Sequence, residues 1–267
     1  SVGVFLDLRL LDPSGRPVPL HLVAVDGIAL AGRRPPVHEG WLLPPGGRAD
    51  VLVRLEEPGV HRLRREPVEG SPASFREELA TVEAAGPRRA DLLPERIPGR
   101  LPHYLQPIDT ASRRLGEMVF GLVRGEAPGP CGQIPSVFTL DGAPYRRDRI
   151  DVEIDYGAQE EWLLTNVTSK LHAFHIHVNP FQVLGERIDP DGPDDPSNWL
   201  WRDVAAVPPT PPGSDEPGRL TIRSRFVSYS GEFVRHCHVL VHEDLGMMQN
   251  VRVGPGGAPP GARLTAG

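Results

Sequence analysis

The chain has 267 residues and a formal net charge of −6, with acidic and basic residues intermixed, so no basic patch argues for nucleic acid. Its 31 prolines and 29 glycines exceed ordinary usage and exclude a fold of long helices, because proline breaks helices and glycine weakens them. Hydrophobic residues make up 39% and fall in short alternating runs, none near the ~18–20 apolar residues of a membrane span. Two cysteines, Cys131 and Cys237, are too few for a disulfide framework. The opening Ser1-Val2-Gly3 has neither an initiator Met nor the charged start and apolar stretch of a signal peptide.

Taken in order, the elements read as strands and turns. Residues 4–11 and 18–25 are apolar runs, the second closed by Asp26-Gly27, a hairpin-turn pair. Pro44-Pro45-Gly46-Gly47 is a turn, and residues 50–55 alternate as a strand should. Residues 66–135 are mixed, and residues 71–84 fit either a short helix or an extended stretch. Residues 86–116 read as a linker, and Cys131 as a lone thiol near its end. Strand rhythm returns at 138–140, before a second Asp-Gly turn at 141–142. Residues 150–156 alternate strictly, with Ile150, Val152, Ile154 and Tyr156 on one face. Further runs follow at 162–167, 181–184, 219–227, 232–238 and 248–253, with 189–217 expected to be a long Pro/Asp-rich loop. The pattern predicts an all-β protein of sandwich or barrel type. Its expected divisions are residues 1–85, a linker over 86–116, residues 117–255, and a flexible tail over 256–267.

Histidine carries the chemistry. Six of the ten fall in two clusters, His172-Ala-Phe-His175-Ile-His177 and His236-Cys237-His238-Val-Leu-Val-His242-Glu-Asp-Leu-Gly-Met247. Nitrogen and sulfur donors of this kind suit copper or zinc. On a strand, neighbours face opposite ways, so Cys237 points away from His236 and His238. His175 and His177 likewise share a face. Cys237, His242, Met247 and His172 together have the composition of a trigonal blue-copper site with a weak axial thioether. That leaves His175, His177, His236 and His238 for a second centre. Structural zinc fits less well, because no paired C-x-x-C spacing occurs and Met247 would have no role. His21, His38, His61 and His103 stand alone and read as surface or core residues.

At these residues the chain resembles the multicopper oxidases of laccase and bilirubin-oxidase type, whose third cupredoxin domain carries H-x-x-H-x-H and, later, H-C-H-x-x-x-H-x-x-x-x-M. The resemblance implies two cupredoxin-like Greek-key domains, the first incomplete or degenerate and similar, through residues 18–27 and 43–53, to the end of a second cupredoxin domain. It implies that His172, Cys237, His242 and Met247 hold type 1 copper. It assigns His175 to type 2 copper and His177, His236 and His238 to the type 3 pair. Glu243 stands where relatives carry an acidic residue that passes protons to oxygen. One departure stands out: the family completes its three-copper cluster with two further H-x-H motifs, and residues 1–171 contain none.

The expected function is a copper oxidoreductase, incomplete as this chain alone. Single electrons from a small-molecule or metal-ion reductant would enter at type 1 copper and pass through Cys237 to His236 and His238. Dioxygen would be reduced to water at a trinuclear centre completed by a missing N-terminal cupredoxin domain or a partner subunit. Type 2 and type 3 copper are expected only with that completion. The alternative is a type 1 electron-transfer protein that does not reduce oxygen. A two-domain copper nitrite reductase fits less well, since such enzymes use one His beside the Cys. The resemblance implies an extracytoplasmic location.

Overall fold

Strands form where apolar and polar side chains alternate, and tight turns join them where Asp-Gly pairs permit. The computed structural model describes residues 3–71, 74–87, 93–108, 114–124 and 136–254. The first half contributes β1 (Leu6–Leu11), β2 (Leu20–Val25), β3 (Ile28–Ala29), β4 (Val37–His38), β5 (Trp41–Leu43), β6 (Ala49–Val53), β7 (Gly59–Glu66) and β8 (Glu77–Ala84). One sheet runs β5-β1-β7-β8; in the other, β2 pairs with β3, β4 and β6. Asp26 (φ 51°) and Gly27 (φ 80°) both take positive φ, the geometry of a two-residue hairpin turn, and bring Val25 opposite Ile28. Asp141 and Gly142 repeat it at φ 53° and 77°.

The second half contributes β9 (Arg114–Arg124), β10 (Ser136–Leu140), β11 (Val152–Asp155), β12 (Gln159–Asn166), β13 (His172–Ile176), β14 (Phe181–Arg187), β15 (Trp199–Arg202), β16 (Val204–Val207), β17 (Gly218–Arg225), β18 (Gly231–Cys237) and β19 (Met248–Gly254). A one-turn helix, α1 (Leu240–Asp244), lies between β18 and β19. The sheets run β10-β9-β12-β17-β14-β15 and β11-β19-β18-β13-β16. β9 pairs parallel with β12 and β11 with β19, so the chain crosses between sheets instead of meandering. One core joins the two sheets: Phe120, Trp162 and Phe181 from the first meet Phe174, Ile176 and Val251 from the second. The result is an all-β sandwich. Among the described residues, no helix is long and apolar enough to cross a membrane.

Three segments differ from, or decide, the expectations. The open choice at 71–84 resolves to strand over Glu77–Ala84, paired along β7; residues 72–73 lie outside the described residues. The segment 189–217 is not all loop, because it holds β15 and β16. Their side chains are buried almost throughout rather than alternately, so a search for period-two alternation passes over them. Within 93–108, Ile97 packs with Leu22 and Val25 of the first half and Leu200 of the second, so the connecting chain lies in a core shared by both halves. Cys131 and the tail 256–267 lie outside the described residues.

Candidate metal centre

Two adjacent antiparallel strands sort the donors. β13 pairs with β18 so that Phe174 faces Cys237, His175 faces His236 and Ile176 faces Arg235. Alternation then turns Cys237 and His172 toward the sandwich core, and His175 and His236 toward the other side of the sheet.

On the core side, Cys237 Sγ lies 3.5 Å from His172 Nδ1 and 3.6 Å from His242 Nδ1, and the two nitrogens are 3.1 Å apart. His242 comes from α1, whose short turn folds it back over β18. Met247 is fully buried; its amide donates to His242 O and its carbonyl accepts from Cys237 N, both at 3.0 Å. Phe138 stacks on His242 with ring centroids 4.0 Å apart, and Phe120 stacks on His172 at 5.3 Å. Burial pushes the Cys237 thiol up to about 12 and the imidazoles of His172 and His242 down to about 3 and about 4. Without metal, the set is therefore one neutral thiol and two neutral imidazoles. A cation held here would displace the thiol proton and meet a thiolate with two imidazole nitrogens, the donor chemistry that copper takes. With Nδ1 turned to Cys237, His172 Nε2 carries the ring proton and donates it to Thr168 Oγ1 at 2.8 Å.

On the other side, His236 Nε2 lies 3.3 Å from His177 Nε2, and donor nitrogens of His175, His177 and His236 lie within 4.8 Å of one another. His238 brings its ring to 5.3 Å from that of His175 and 5.4 Å from that of His236, but its donor atom stands outside that three-histidine group. Burial lowers His175 and His177 and brings His236 to about 4, so lone pairs are free here too. His175 Nδ1 donates to the Asp203 carbonyl at 2.7 Å, which fixes its tautomer. Glu243 Oε2 lies 3.0 Å from His236 Nδ1, and burial raises this carboxyl above its usual range.

Sequence reasoning did not single out Thr168 and Asp203 as partners of the histidines. Thr168 acts through a side chain four residues before His172, and Asp203 through its backbone carbonyl, which leaves no residue-type signal. The isolated histidines stay apart from both sets among the described residues. His38 sits edge-on to Trp41, His103 edge-on to Tyr104, and buried His61 places Nδ1 3.3 Å from Gly59 O.

Residues 124–257 match the family model described as "Multicopper oxidase". A laccase of Haloferax volcanii is 35% identical over 111 residues, covering 41% of this chain and 18% of that protein. The laccase-like multi-copper oxidase of Ochrobactrum sp. superposes with a TM-score of 0.67 at 26% identity, over 94% of this chain and 53% of that one. McoA multicopper oxidase of Aquifex aeolicus gives 0.70 at 25% identity, over 95% and 53%. The chain thus spans about half the length of these solved relatives, and its match covers about a fifth of the curated one.

Proposed function

This chain belongs to the multicopper oxidase family, whose cofactor is copper, and from that premise we propose that it forms the electron-accepting part of a copper oxidase. In this reading His172, Cys237 and His242, with Met247 as a weak further donor, would hold type 1 copper. His175 serves type 2 copper, and His177, His236 and His238 serve the type 3 pair. A cupredoxin domain or partner subunit bearing further H-x-H motifs completes that centre. The copper-bearing domain spans residues 117–255 and the partial cupredoxin domain residues 1–85, joined by 86–116 and followed by a tail over 256–267. Copper, when bound, would supply the one-electron chemistry that joins a small-molecule or metal-ion reductant to dioxygen.

The observation that carries the reading is the adjacency of Cys237 and His236. Cys237 Sγ lies 3.5 Å from His172 Nδ1, while the next residue back reaches His177 across the other face at 3.3 Å. A covalent backbone path therefore joins the two donor sets, with no gap for an electron to cross. The protein's own share follows from its side chains. Phe138 and Phe120 cover the core set and exclude water. Thr168 and the Asp203 carbonyl hold His172 and His175 in opposite tautomers, each presenting the nitrogen its set needs. Glu243 is the proton carrier in this reading: its half-buried carboxyl, raised in pKa by burial, lies with Oε2 3.0 Å from His236 Nδ1. An extracytoplasmic location belongs to the same reading.

A second reading, electron transfer without oxygen reduction, is favoured by the lack of any H-x-H motif in residues 1–171. Copper loading with oxygen-uptake measurement separates the two. The chain should turn blue through thiolate-to-Cu(II) charge transfer, and Cys237→Ser should abolish the colour. Oxygen uptake on a phenolic donor should appear only when a cupredoxin domain with two H-x-H motifs is supplied. A colourless loaded chain sinks the type 1 assignment. A blue complex that takes up no oxygen even when completed favours the carrier.

A further inference from the structure

We propose, resting on the reading of the second histidine set given above, that the turn at residues 44–48 is a positioning device for that set, with Arg48 its working residue. The Pro44-Pro45-Gly46-Gly47 turn is closed by Gly47 N donating to Pro44 O at 2.8 Å, and it projects Arg48 across to the second half. The guanidinium donates to both carboxylate oxygens of Asp203, Nη1 to Oδ1 at 3.0 Å and Nη2 to Oδ2 at 2.7 Å. A two-pronged ionic bond of this kind fixes orientation as well as distance. Asp203 is the residue whose carbonyl receives the His175 Nδ1 proton.

Asp26 closes the arrangement. Its buried carboxylate accepts the Arg48 amide at 3.0 Å and the Asp203 amide at 3.1 Å, while its carbonyl accepts Arg48 Nη2 at 2.6 Å. Asp203 is thus held at its side chain and at its amide, and its carbonyl also accepts the Ile176 amide at 3.4 Å, which together keep that carbonyl aimed at His175. The same turn reaches a second imidazole. Gly46 adopts φ +83°, and a Cβ there would sit 2.8 Å from His238 Cδ2 and 2.9 Å from Nε2. The His238 ring therefore lies directly on the glycine backbone. A first-half segment without a metal-ligating side chain braces two of the four imidazoles in the second set.

Outer partners that fix ligand tautomer and ring orientation typically change metal affinity by about 10–100-fold. The test uses the full 267-residue chain and Arg48→Gln. In the metal-free protein, long-range 1H–15N spectra should show His175 as a single Nδ1–H tautomer, and Arg48→Gln should convert it to an exchanging mixture. On Cu(II) titration with a cupredoxin domain bearing two H-x-H motifs supplied, the blue band from the core set should be unchanged, while the midpoint for the non-blue Cu(II) EPR signal rises about tenfold or more. Arg48→Lys keeps the charge but loses the fork, so it should show the same two effects and serves if Arg48→Gln does not fold. An unchanged His175 spectrum and an unchanged second midpoint would overturn the proposal. If the wild-type chain shows no second Cu(II) signal even when a cupredoxin domain bearing two H-x-H motifs is supplied, the reading of that set as copper ligands fails, and the His175 spectrum alone then decides the role of Arg48.

Discussion

At the scale of the residue, Cys237 sets the proton balance of metal binding. Its thiol, pushed up to about 12 by burial, is protonated throughout the neutral range, while His172 at about 3 and His242 at about 4 are not. Copper entering this set should therefore release one proton between about pH 5 and 8, and apparent affinity should rise tenfold per pH unit there. Calorimetric titration in buffers of different ionisation enthalpy counts that proton, and a count near zero would remove Cys237 from the ligand set. Met247 poses the complementary question. It is fully buried beside Cys237, and an axial thioether donates weakly. Met247→Leu should keep the blue colour and raise the potential, because losing an axial donor destabilises Cu(II) relative to Cu(I). A lower or unchanged potential in a blue variant would exclude Met247 as a ligand.

At the scale of the element, turns and alternation explain what could be read in advance. Asp141-Gly142 is legible because both residues need positive φ, and Asp141 also accepts the Val119 amide at 2.8 Å and Gln249 Nε2 at 2.9 Å. Nothing lies within 4 Å of a Cβ at Gly142, so Gly142→Ala should cost only its left-handed strain, about 1–2 kcal/mol. Urea unfolding checks this: the midpoint should fall with the slope unchanged. The division of donors between two faces was legible for the same reason, since strand alternation needs no tertiary information. β15 and β16 were hidden because burial on both faces erases the period-two signal in Trp199–Arg202 and Val204–Val207. Arg48, Asp203 and Thr168 were hidden more deeply. Their meaning comes from contacts across up to 177 positions of sequence, and no local pattern encodes a carbonyl turned toward a ring nitrogen.

At the scale of the whole molecule, burying so many imidazoles and one thiol fixes how stability must vary with pH before metal binds. In the folded chain His172, His236 and His242 are held at about 3, about 4 and about 4, against roughly 6.5 in an unfolded chain. Below about pH 6.5 the unfolded state takes up protons that the folded state refuses. Stability is therefore present above 6.5 and lost as pH falls toward 4, by up to about 1.4 kcal/mol per pH unit for each imidazole. Asp26 and Glu243, both raised by burial, bind protons more readily when folded and soften the lower part of that limb. Cys237 acts at the other end with the opposite sign. Unfolded, its thiol ionises near 8.5; folded, it stays protonated to about 12, so stability falls as pH rises above about 8.5. The metal-free chain should have its highest melting temperature between about pH 6.5 and 8.5 and lose stability on both sides. Cys237→Ala should flatten the alkaline limb and His172→Phe should make the acid limb shallower. Calorimetry of the metal-free protein and both variants measures each limb separately. A flat profile from pH 5 to 8 would mean that the imidazoles are hydrated in solution, and that the core set is not the closed, water-excluding pocket on which a type 1 site depends.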